Sequence, residues 1–399
     1  MDQFNALLKD AAALLPEAVK LRREMHEHPE LGLHLPVTQA LILRELKDTG
    51  LELKVGSKLS SVTAVLDTGR EGPTVLLRAD MDALPLQEDT PVPFASKIDG
   101  AMHACCHDSH VAMLIEAAKL LVDRKDQLTG KVLFMFQPGE EGFGGAEIMI
   151  EEGILSESGK VDLAFAIHTT PLGPSGWIMT KPGPLMASSD QIFIELLGKG
   201  GHASSPYLAN DPIPAACEIV TALQTMVTRK VPTFDPAVVT IGHITAGTTT
   251  NVIPDKAVIE GTIRTVSEST RQLVAKETVQ VAEGVGSAHG LKVKARVEFG
   301  YPVTVNDVAV AQWARAIAVD LFGQTQVLEM PTPVMGAEDF SYVLQEVPGA
   351  LVFLGACPEG VNFWEAEANH SNLMVMNEDA MSTGIAMYAA VALAKCSEN

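Results

Sequence analysis

Basic residues are scarce in this chain of 399 residues, in which 29 Lys and Arg stand against 50 Asp and Glu. The formal net charge of −21 argues against nucleic acid as a partner, because nucleic-acid affinity depends on phosphate neutralisation by Lys and Arg. It also argues against an anionic membrane surface, which attracts polybasic segments. We therefore expect no nucleic-acid partner and no membrane partner.

Cysteines and long apolar runs are also rare. The five cysteines are too few, and odd in number, for a secreted disulfide framework. No run of about 18 apolar residues occurs, so no membrane span is predicted. The opening stretch MDQFNALLKDAAALLPEAVKLRREMHEHP predicts an amphipathic helix and not a signal peptide. Together these absences predict a cytoplasmic protein.

The length favours two domains, and the first half alternates buried strands with helices. Strands are predicted at TVLLRADMD (74–82), at KVLFMFQ before Pro138, and at VDLAFAIH, which ends at His168. The helix HVAMLIEAAKLLVDR between the first two is apolar almost all round, with Asp108 or Ser109 as its N-cap. This alternation predicts an α/β domain with a largely parallel sheet.

The pattern then changes to four strand candidates with partial alternation, DQIFIELLGKGG, AVVTIGHITAG, KAVIEGTIRT and LKVKARVEF. Two long helical segments, 212–228 and 267–289, lie between them in a β-α-β-β-α-β order that is typical of a ferredoxin-like unit. We therefore predict an α/β domain at 1–186 and 300–399, interrupted by an α+β domain at 187–299.

The stretch MHACCHDSH places Cys105 and His107 two residues apart. In an extended segment these two side chains face one way and Cys106 faces the other, so Cys105 and His107 form a possible ligand pair. The alternative is a buried small cysteine beside a hydrogen-bonded histidine.

The stretch FQPGEEGFGG places Glu140 and Glu141 where a buried strand ends in a glycine-rich turn. Open α/β sheets build their sites at the carboxyl ends of such strands. Neighbouring side chains diverge, so one carboxylate can bind a metal while the other acts as a general base. A solvated surface pair is the alternative.

Further polar residues are candidates for the same site. His168 ends a predicted strand, Asp80 and Asp82 share a strand face in RADMDALP, and His370 stands in NHSN. His168 and the two aspartates have simpler interpretations, which are a hydrogen-bonded histidine for His168 and a turn or capping role for the aspartates.

Ten stretches in order resemble the M20 metallopeptidases, specifically the amidohydrolase subfamily that includes N-acyl-amino-acid amidohydrolases (aminoacylases) and hippurate hydrolase. They are RREMHEHPELG, RADMDALPLQED, MHACCHDSH, FQPGEEG, GPLMAS, GKGGHAS, TTNVIPD, EGTIRT, GAEDF and NHSN. The resemblance implies a hydrolase-like, zinc-peptidase α/β catalytic domain with an inserted ferredoxin-like lid and dimerisation domain. It also implies hydrolysis of the amide bond of small N-acyl amino acids by a metal-activated water.

The resemblance implies a centre of two divalent ions, whether Zn, Mn, Co or Ni. The implied ligands are Cys105, His107, Glu141, His168 and His370, with Glu140 as general base and Asp82 as a residue that orients the ligands. The chain departs from the family at Cys106, where Gly is usual. Glycine there permits a backbone geometry that Cys would adopt at some strain; the alternatives are that Cys106 offers a second thiolate or makes the site oxidisable. We favour a tolerated, non-ligating Cys106.

The resemblance also assigns residues of the inserted domain. His202 in GKGGHASS matches a histidine that stabilises the oxyanion, often in the partner subunit of a homodimer or higher homo-oligomer built through this domain. Asn251 would hold the substrate. Arg264 would bind the substrate carboxylate, with a surface arginine as the alternative. Gly336 in GAEDF would belong to a loop on the substrate side.

Three other functions stay open from the sequence. A metallodipeptidase or an N-acetyl-diaminopimelate deacetylase-like enzyme would share the same fold. A catalytically inactive metal-binding protein is disfavoured by the intact Glu140–Glu141 pair. A thiol redox protein using Cys105 and Cys106 lacks the spacing of a CxxC motif.

Overall fold

The computed structural model of the protein describes residues 2–397, and the side chains of residues 6–397. The chain forms two compact units. The large unit comprises the chain up to Gly183, Val305–Thr332 and the chain from Tyr342, and the inserted unit comprises Pro184–Thr304 and Pro333–Ser341. No helix among the described residues has the length and apolarity that crossing a bilayer requires.

The helices and strands are numbered in chain order. The helices are α1 (Asp2–His26), α2 (Pro36–Leu46), α3 (His107–Val122), α4 (Gly145–Glu151), α5 (Pro212–Lys230), α6 (Glu268–Ala288), α7 (Val308–Phe322), α8 (Phe340–Glu346) and α9 (Met381–Cys396). The strands are β1 (Glu52–Val55), β2 (Val62–Asp67), β3 (Thr74–Asp80), β4 (Lys131–Gln137), β5 (Leu163–Thr170), β6 (Ile178–Thr180), β7 (Gly183–Met186), β8 (Asp190–Leu197), β9 (Gly201–His202), β10 (Ala237–Ala246), β11 (Val252–Ile253), β12 (Lys256–Thr265), β13 (Lys292–Phe299), β14 (Thr304–Asn306), β15 (Val327–Glu329) and β16 (Gly349–Gly355).

The large unit contains an eight-stranded sheet in the order β1-β2-β4-β3-β5-β16-β6-β15. Its four central strands, β4, β3, β5 and β16, run parallel to one another, whereas β1, β2 and β6 add antiparallel pairings. The predicted α/β class is confirmed. Because β3, β4 and β5 are parallel, the residues that follow them meet at one edge of the sheet.

Helices α1, α3 and α9 pack against one another, and α3 is buried over almost its whole length, as predicted. The predicted N-cap is wrong, because the cap residue is Cys106, which makes no side-chain capping bond. The carboxylate of Asp108 is directed to α1 instead, where its Oδ2 lies 3.1 Å from Arg22 Nε and 2.7 Å from His26 Nδ1.

The inserted unit has the predicted ferredoxin-like connectivity, β8-α5-β10-β12-α6-β13. Its antiparallel sheet has the order β10-β12-β8-β13. One face of the sheet is apolar and packs against α5 and α6, with Ile192, Ile194 and Ile259 fully buried. The other face carries charged side chains, as alternation along half-buried strands requires. Strand β10 forms one edge of this sheet.

Candidate metal centre

The candidate site of the large unit lies at the carboxyl ends of β3, β4 and β5. Asp82 follows β3, Glu140 and Glu141 follow β4, and His168 lies in β5. Two predicted strand ends are wrong. Strand β3 ends at Asp80, which leaves Asp82 outside the strand, and β5 continues past His168 to Thr170, because its pairing with β16 extends that far.

Cys105 and His107 are brought together by a turn and not by an extended segment. Cys106 between them has a left-handed backbone, with φ of 65° and ψ of 16°, and His107 begins α3. Glycine enters this region without steric cost, whereas other residues are strained there. Of the interpretations offered for Cys106, the strained backbone is the one that the structure shows.

The strain at Cys106 predicts that replacement by glycine is less destabilising than replacement by alanine. We expect the free energy of unfolding of Cys106→Gly to be about 1 kcal/mol higher than that of Cys106→Ala. The glycine variant is the more stable one because only glycine relieves the left-handed strain. Both variants lose the same buried thiol, which contacts Met374 Sδ at 3.7 Å. Chemical denaturation measures the difference, and an alanine variant as stable as the glycine variant would contradict it. Both should keep their metal content, since Cys106 is not expected to be a ligand.

Asp82 holds the two glutamates through their backbone. Its Oδ1 accepts a hydrogen bond from Glu140 N at 2.9 Å, and its Oδ2 accepts one from Glu141 N at 3.0 Å. The same residue's carbonyl accepts a bond from His107 Nδ1 at 2.8 Å. Glu140 is buried, with 6% of its surface exposed, so the glutamates are not a solvated surface pair.

The donor atoms form two groups that share one sulfur. In the first, Cys105 Sγ lies 3.5 Å from His168 Nε2, and His107 completes the group. In the second, Cys105 is joined by Glu141 and His370, with Glu141 Oε1 3.2 Å from His370 Nε2. In each group, one ligand atom per residue lies within 4.8 Å of the others.

His370 comes from a distant part of the chain and is fixed by its backbone. It has a left-handed φ of 71°, and its N–H donates to the carbonyl of Ala104 at 2.8 Å. Cys106 and His370 are the two non-glycine residues with positive φ in the described chain. Such strain persists where surrounding structure enforces it, and it concentrates at functional sites.

Burial and neighbouring charges shift the pKa values of the site residues. Burial opposes protonation of His107, but Asp80, Asp82 and Glu141 outweigh it and raise the pKa of His107 to about 10. Burial would raise the pKa of Glu141, yet His370 and His107 lower it below its usual value. Burial, with help from His110, holds the pKa of His168 well below its usual range. Burial and the two glutamates raise the pKa of the Cys105 thiol.

These residues fit a metal ion. His107 Nε2 is buried without a hydrogen-bond partner, while its Nδ1 donates to the carbonyl of Asp82. His168 Nδ1 donates in the same way to the carbonyl of Thr169 at 3.0 Å. His168 therefore directs Nε2 towards Cys105, and His107 directs Nε2 towards the two glutamates. A second-sphere bond on one nitrogen that leaves the other for metal is the usual arrangement of histidine ligands.

Two candidate residues of the inserted unit lie in one groove. His202 in β9 pairs with Val252 in β11, and its Nδ1 lies 2.8 Å from Ser204 Oγ. Asn251 directly precedes β11, and its carbonyl accepts a bond from Ala203 N at 3.1 Å. Both line a groove of about 760 Å³ within this unit.

Arg264 and Gly336 lie elsewhere in the inserted unit. Arg264 in β12 is half-buried, and its Nη1 donates to Thr262 Oγ1 at 2.5 Å and to the carbonyl of Ile263 at 3.1 Å. It forms no ion pair with an acidic residue of the described chain. The carbonyl of exposed Gly336 accepts a bond from Ala187 N at 2.9 Å, which fixes the GAEDF segment.

One residue next to the site was missed from the sequence. His110 received no role, yet it is fully buried and contacts both Asp80 and the peptide that follows His168. Its spacing of three from His107 on one helix was the available signal, because residues i and i+3 share a helix face.

A buried thiol, imidazoles and a carboxylate at the carboxyl ends of parallel strands, with a second carboxylate beside them, define a hydrolase of the metal-dependent type. The family model for peptidase family M20/M25/M40 matches residues 76–394. The chain belongs to this family.

Known proteins of similar sequence are hydrolases. The chain is 39% identical to N-acetylcysteine deacetylase of Bacillus subtilis, over 94% of this chain and 96% of the relative. It is 36% identical to hippurate hydrolase of Campylobacter jejuni, over 97% and 98%. It is 37% identical to thermostable carboxypeptidase 2 of Saccharolobus solfataricus, over 98% and 99%.

The YxeP protein of Bacillus subtilis, a dinuclear metal-binding peptidase of the M20 family, has a similar structure. The two chains superpose with a TM-score of 0.83 at 35% identity, covering 96% of this chain and 98% of that one.

Proposed function

We propose that this protein is a metal-dependent amidohydrolase that cleaves the amide bond of small N-acyl amino acids. The observation that carries the proposal is the pair of donor groups that share Cys105 and stand beside the buried Glu140. The relatives named for N-acetylcysteine and hippurate support an N-acyl amino acid as substrate.

Cys105, His107 and His168 would hold one divalent ion, and Cys105, Glu141 and His370 a second. A soft thiolate among imidazoles and carboxylates suits Zn²⁺, and Mn²⁺, Co²⁺ and Ni²⁺ are the alternatives. When bound, such ions polarise the amide carbonyl and lower the pKa of water.

Glu140 acts as the general base of the proposed reaction. Its Oε2 lies 4.0 Å from His107 Nε2, so the carboxylate stands next to the donor atoms. Glu140 takes a proton from the attacking water and delivers it to the leaving amine. Asp82 fixes the positions of Glu140 and Glu141 relative to each other, because its one carboxylate accepts hydrogen bonds from both backbone N–H groups.

We further propose that the inserted unit acts as a lid and joins two copies of the chain into a homodimer. The exposed edge strand β10 supports this, since unpaired edges invite pairing with a second strand, and its Val238 and Ile244 are 43% and 47% exposed. In the dimer, His202 would stabilise the oxyanion in the partner's site, and Asn251 would hold the substrate. Sedimentation velocity tests the dimer.

We propose a cytoplasmic location because the cysteines, all of which lie among the described residues, form no disulfide bonds in the structure. All five are free, and protein thiols stay reduced in the cytoplasm. Non-reducing mass spectrometry of the protein from its native cell should find five thiols.

The central experiment combines metal analysis with a substrate panel. Purified protein is assayed on N-acetyl and N-benzoyl amino acids and on dipeptides, which the carboxypeptidase relative makes necessary. Each assay is repeated with chelator and after reloading with single metals. We expect acyl-amino-acid hydrolysis that chelator abolishes and metal restores. Preferred cleavage of dipeptides would favour a metallodipeptidase, and no hydrolysis with metal bound would favour an inactive relative.

Arg264 is proposed to bind the substrate carboxylate. Burial lowers the pKa of this guanidinium, although the charge of Asp190 acts in the opposite direction. Arginine remains charged at neutral pH, and this half-buried cation forms no ion pair with an acidic residue of the described chain. We expect Arg264→Met to raise KM by about 10- to 100-fold, because a hydrogen bond to a charged group contributes about 1.5–3 kcal/mol.

The control for Arg264 is a substrate without the charge. The KM of an N-acyl amino acid methyl ester should not respond to Arg264→Met. Arg296→Met, an exposed arginine that stacks on Phe193 in the same sheet, should leave both KM values unchanged. An equal KM increase for acid and ester would refute the carboxylate contact.

A further inference from the structure

A chain of three fully buried polar side chains connects β3 to α3. Arg78 Nη1 donates to Asp80 Oδ2 at 2.5 Å, and Asp80 Oδ1 lies 2.5 Å from His110 Nδ1. None of the three exposes more than 1% of its surface. Arginine can only donate hydrogen bonds, so the carboxylate of Asp80 is fixed as the acceptor between the two partners.

The far nitrogen of His110 binds the backbone next to a proposed ligand. His110 Nε2 accepts a hydrogen bond from Thr169 N at 2.7 Å, and Thr169 follows His168. Because Nε2 accepts, the ring proton must be on Nδ1, where it donates to Asp80. Asp80 thus selects the one tautomer of His110 that can bind Thr169.

The hydrogen bond from Thr169 N to His110 Nε2 takes the place of a strand-to-strand hydrogen bond. The pairing of β3 with β5 ends at Arg78 and Ala166, so the N–H groups that β5 directs to that side lack a strand partner. Ile167 N donates to Tyr388 Oη at 3.2 Å, and Tyr388 Oη donates to the carbonyl of Arg78 at 2.7 Å. One step further along, His110 accepts from Thr169.

We propose that Arg78, Asp80 and His110 form a positioning relay that fixes the Thr169 peptide and thereby aims His168 at the Cys105 sulfur. The relay would set the affinity of the metal ion held by Cys105, His107 and His168. The ion held by Cys105, Glu141 and His370 would depend on it less. This inference depends on the metal centre proposed above, and none of the three relay residues is itself a proposed ligand.

Asp80→Asn tests the tautomer with almost no change of shape. Arg78 must face the amide oxygen of Asn, so the amide NH₂ group faces His110 Nδ1 and donates to it. The ring proton then moves to Nε2, where it opposes the N–H of Thr169. His110→Phe is the second variant, because it keeps the Arg78–Asp80 pair and a planar aromatic ring but cannot accept the Thr169 bond.

The measurement is a titration of metal-free protein with Co²⁺. Binding is monitored by calorimetry and by the absorption of the bound cobalt, through its thiolate charge-transfer and d–d bands. The wild type should bind two ions per chain. Each variant should keep one ion at near wild-type affinity and bind the other about 10- to 100-fold more weakly, as is usual when a partner of a metal ligand is lost.

Tyr388→Phe is the matched control. It removes the bridge between the same two strands at Ile167, so it costs folding stability without touching the Thr169 bond. It should bind two Co²⁺ ions as the wild type does, and circular dichroism confirms that each variant is folded.

The possible outcomes test the proposed relay separately from the proposed metal centre. A wild type that binds fewer than two ions overturns the centre and the relay together. Two ions in the wild type and unchanged binding in both variants overturn the relay alone. Equal weakening in Tyr388→Phe also overturns it, since the cause would then be general loosening of β5.

Discussion

Replacing Glu140 by Gln should lower kcat by about 10²- to 10⁴-fold, the range that a general acid–base residue contributes. Gln has the shape of Glu and keeps the backbone bond from residue 140 to Asp82, but it cannot accept the proton of the attacking water. The proposed ligands are untouched, so the variant should bind metal as the wild type does. Steady-state kinetics and metal analysis on the same preparation give both quantities.

The control for Glu140 is Glu147→Gln, which changes an exposed glutamate at the start of α4 and should leave kcat unchanged. A Glu140→Gln protein that retains its metal and most of its turnover would falsify the role as base. Loss of metal in that variant would instead make Glu140 a ligand.

Replacing His202 by Ala should lower kcat by about 10²- to 10³-fold, the effect of removing one donor from an oxyanion site. His202 belongs to the inserted unit, where its backbone is paired in β9. Among the described residues, its ring is hydrogen-bonded to Ser204 alone. Because the side chain is exposed, alanine should cost little stability, and the loss of turnover would be a chemical effect.

Mixing two inactive proteins tests whether His202 acts across a dimer. A hybrid of Glu140→Gln and His202→Ala chains has one complete site if His202 serves the partner, because the His202→Ala chain retains Glu140 and receives His202 from the other chain. Random reassociation makes half the dimers hybrid with one of two sites complete, so about a quarter of wild-type activity should return. If His202 served its own chain, no activity would return. His243→Ala, another exposed histidine of this unit, controls for the loss of an imidazole.

Periodicity was enough to predict the elements that build the site. The buried strands β3, β4 and β5 and the helix α3 follow from apolar patterns, because burial on both sides leaves a continuous apolar run. The ferredoxin-like order of the inserted unit follows from strand alternation and two amphipathic helices. Strand ends were less predictable, since β5 is prolonged by its neighbour β16, which lies far away in sequence.

The turn at Cys106 and the bond from His110 to Thr169 could not be predicted in the same way. The left-handed conformation of Cys106 contradicts the preference of its own residue type, so it depends on contacts from elsewhere. The position of His110 depends on where β3 and β5 separate, which no local pattern encodes. The resemblance to a family pointed to the donors, and only tertiary structure brings them together.

The bond from His370 N to the carbonyl of Ala104 has a consequence for the order of events during protein synthesis. On the ribosome, Cys105 leaves the exit tunnel long before His370, and β16 and α9, which complete the central sheet and the α1–α3 layer, emerge after the inserted unit. The inserted unit is largely continuous in sequence and can fold while they are still being made. The second group of donors therefore closes last, so a nascent chain halted before residue 370 would carry Cys105 and Glu141 without the partner that completes their group.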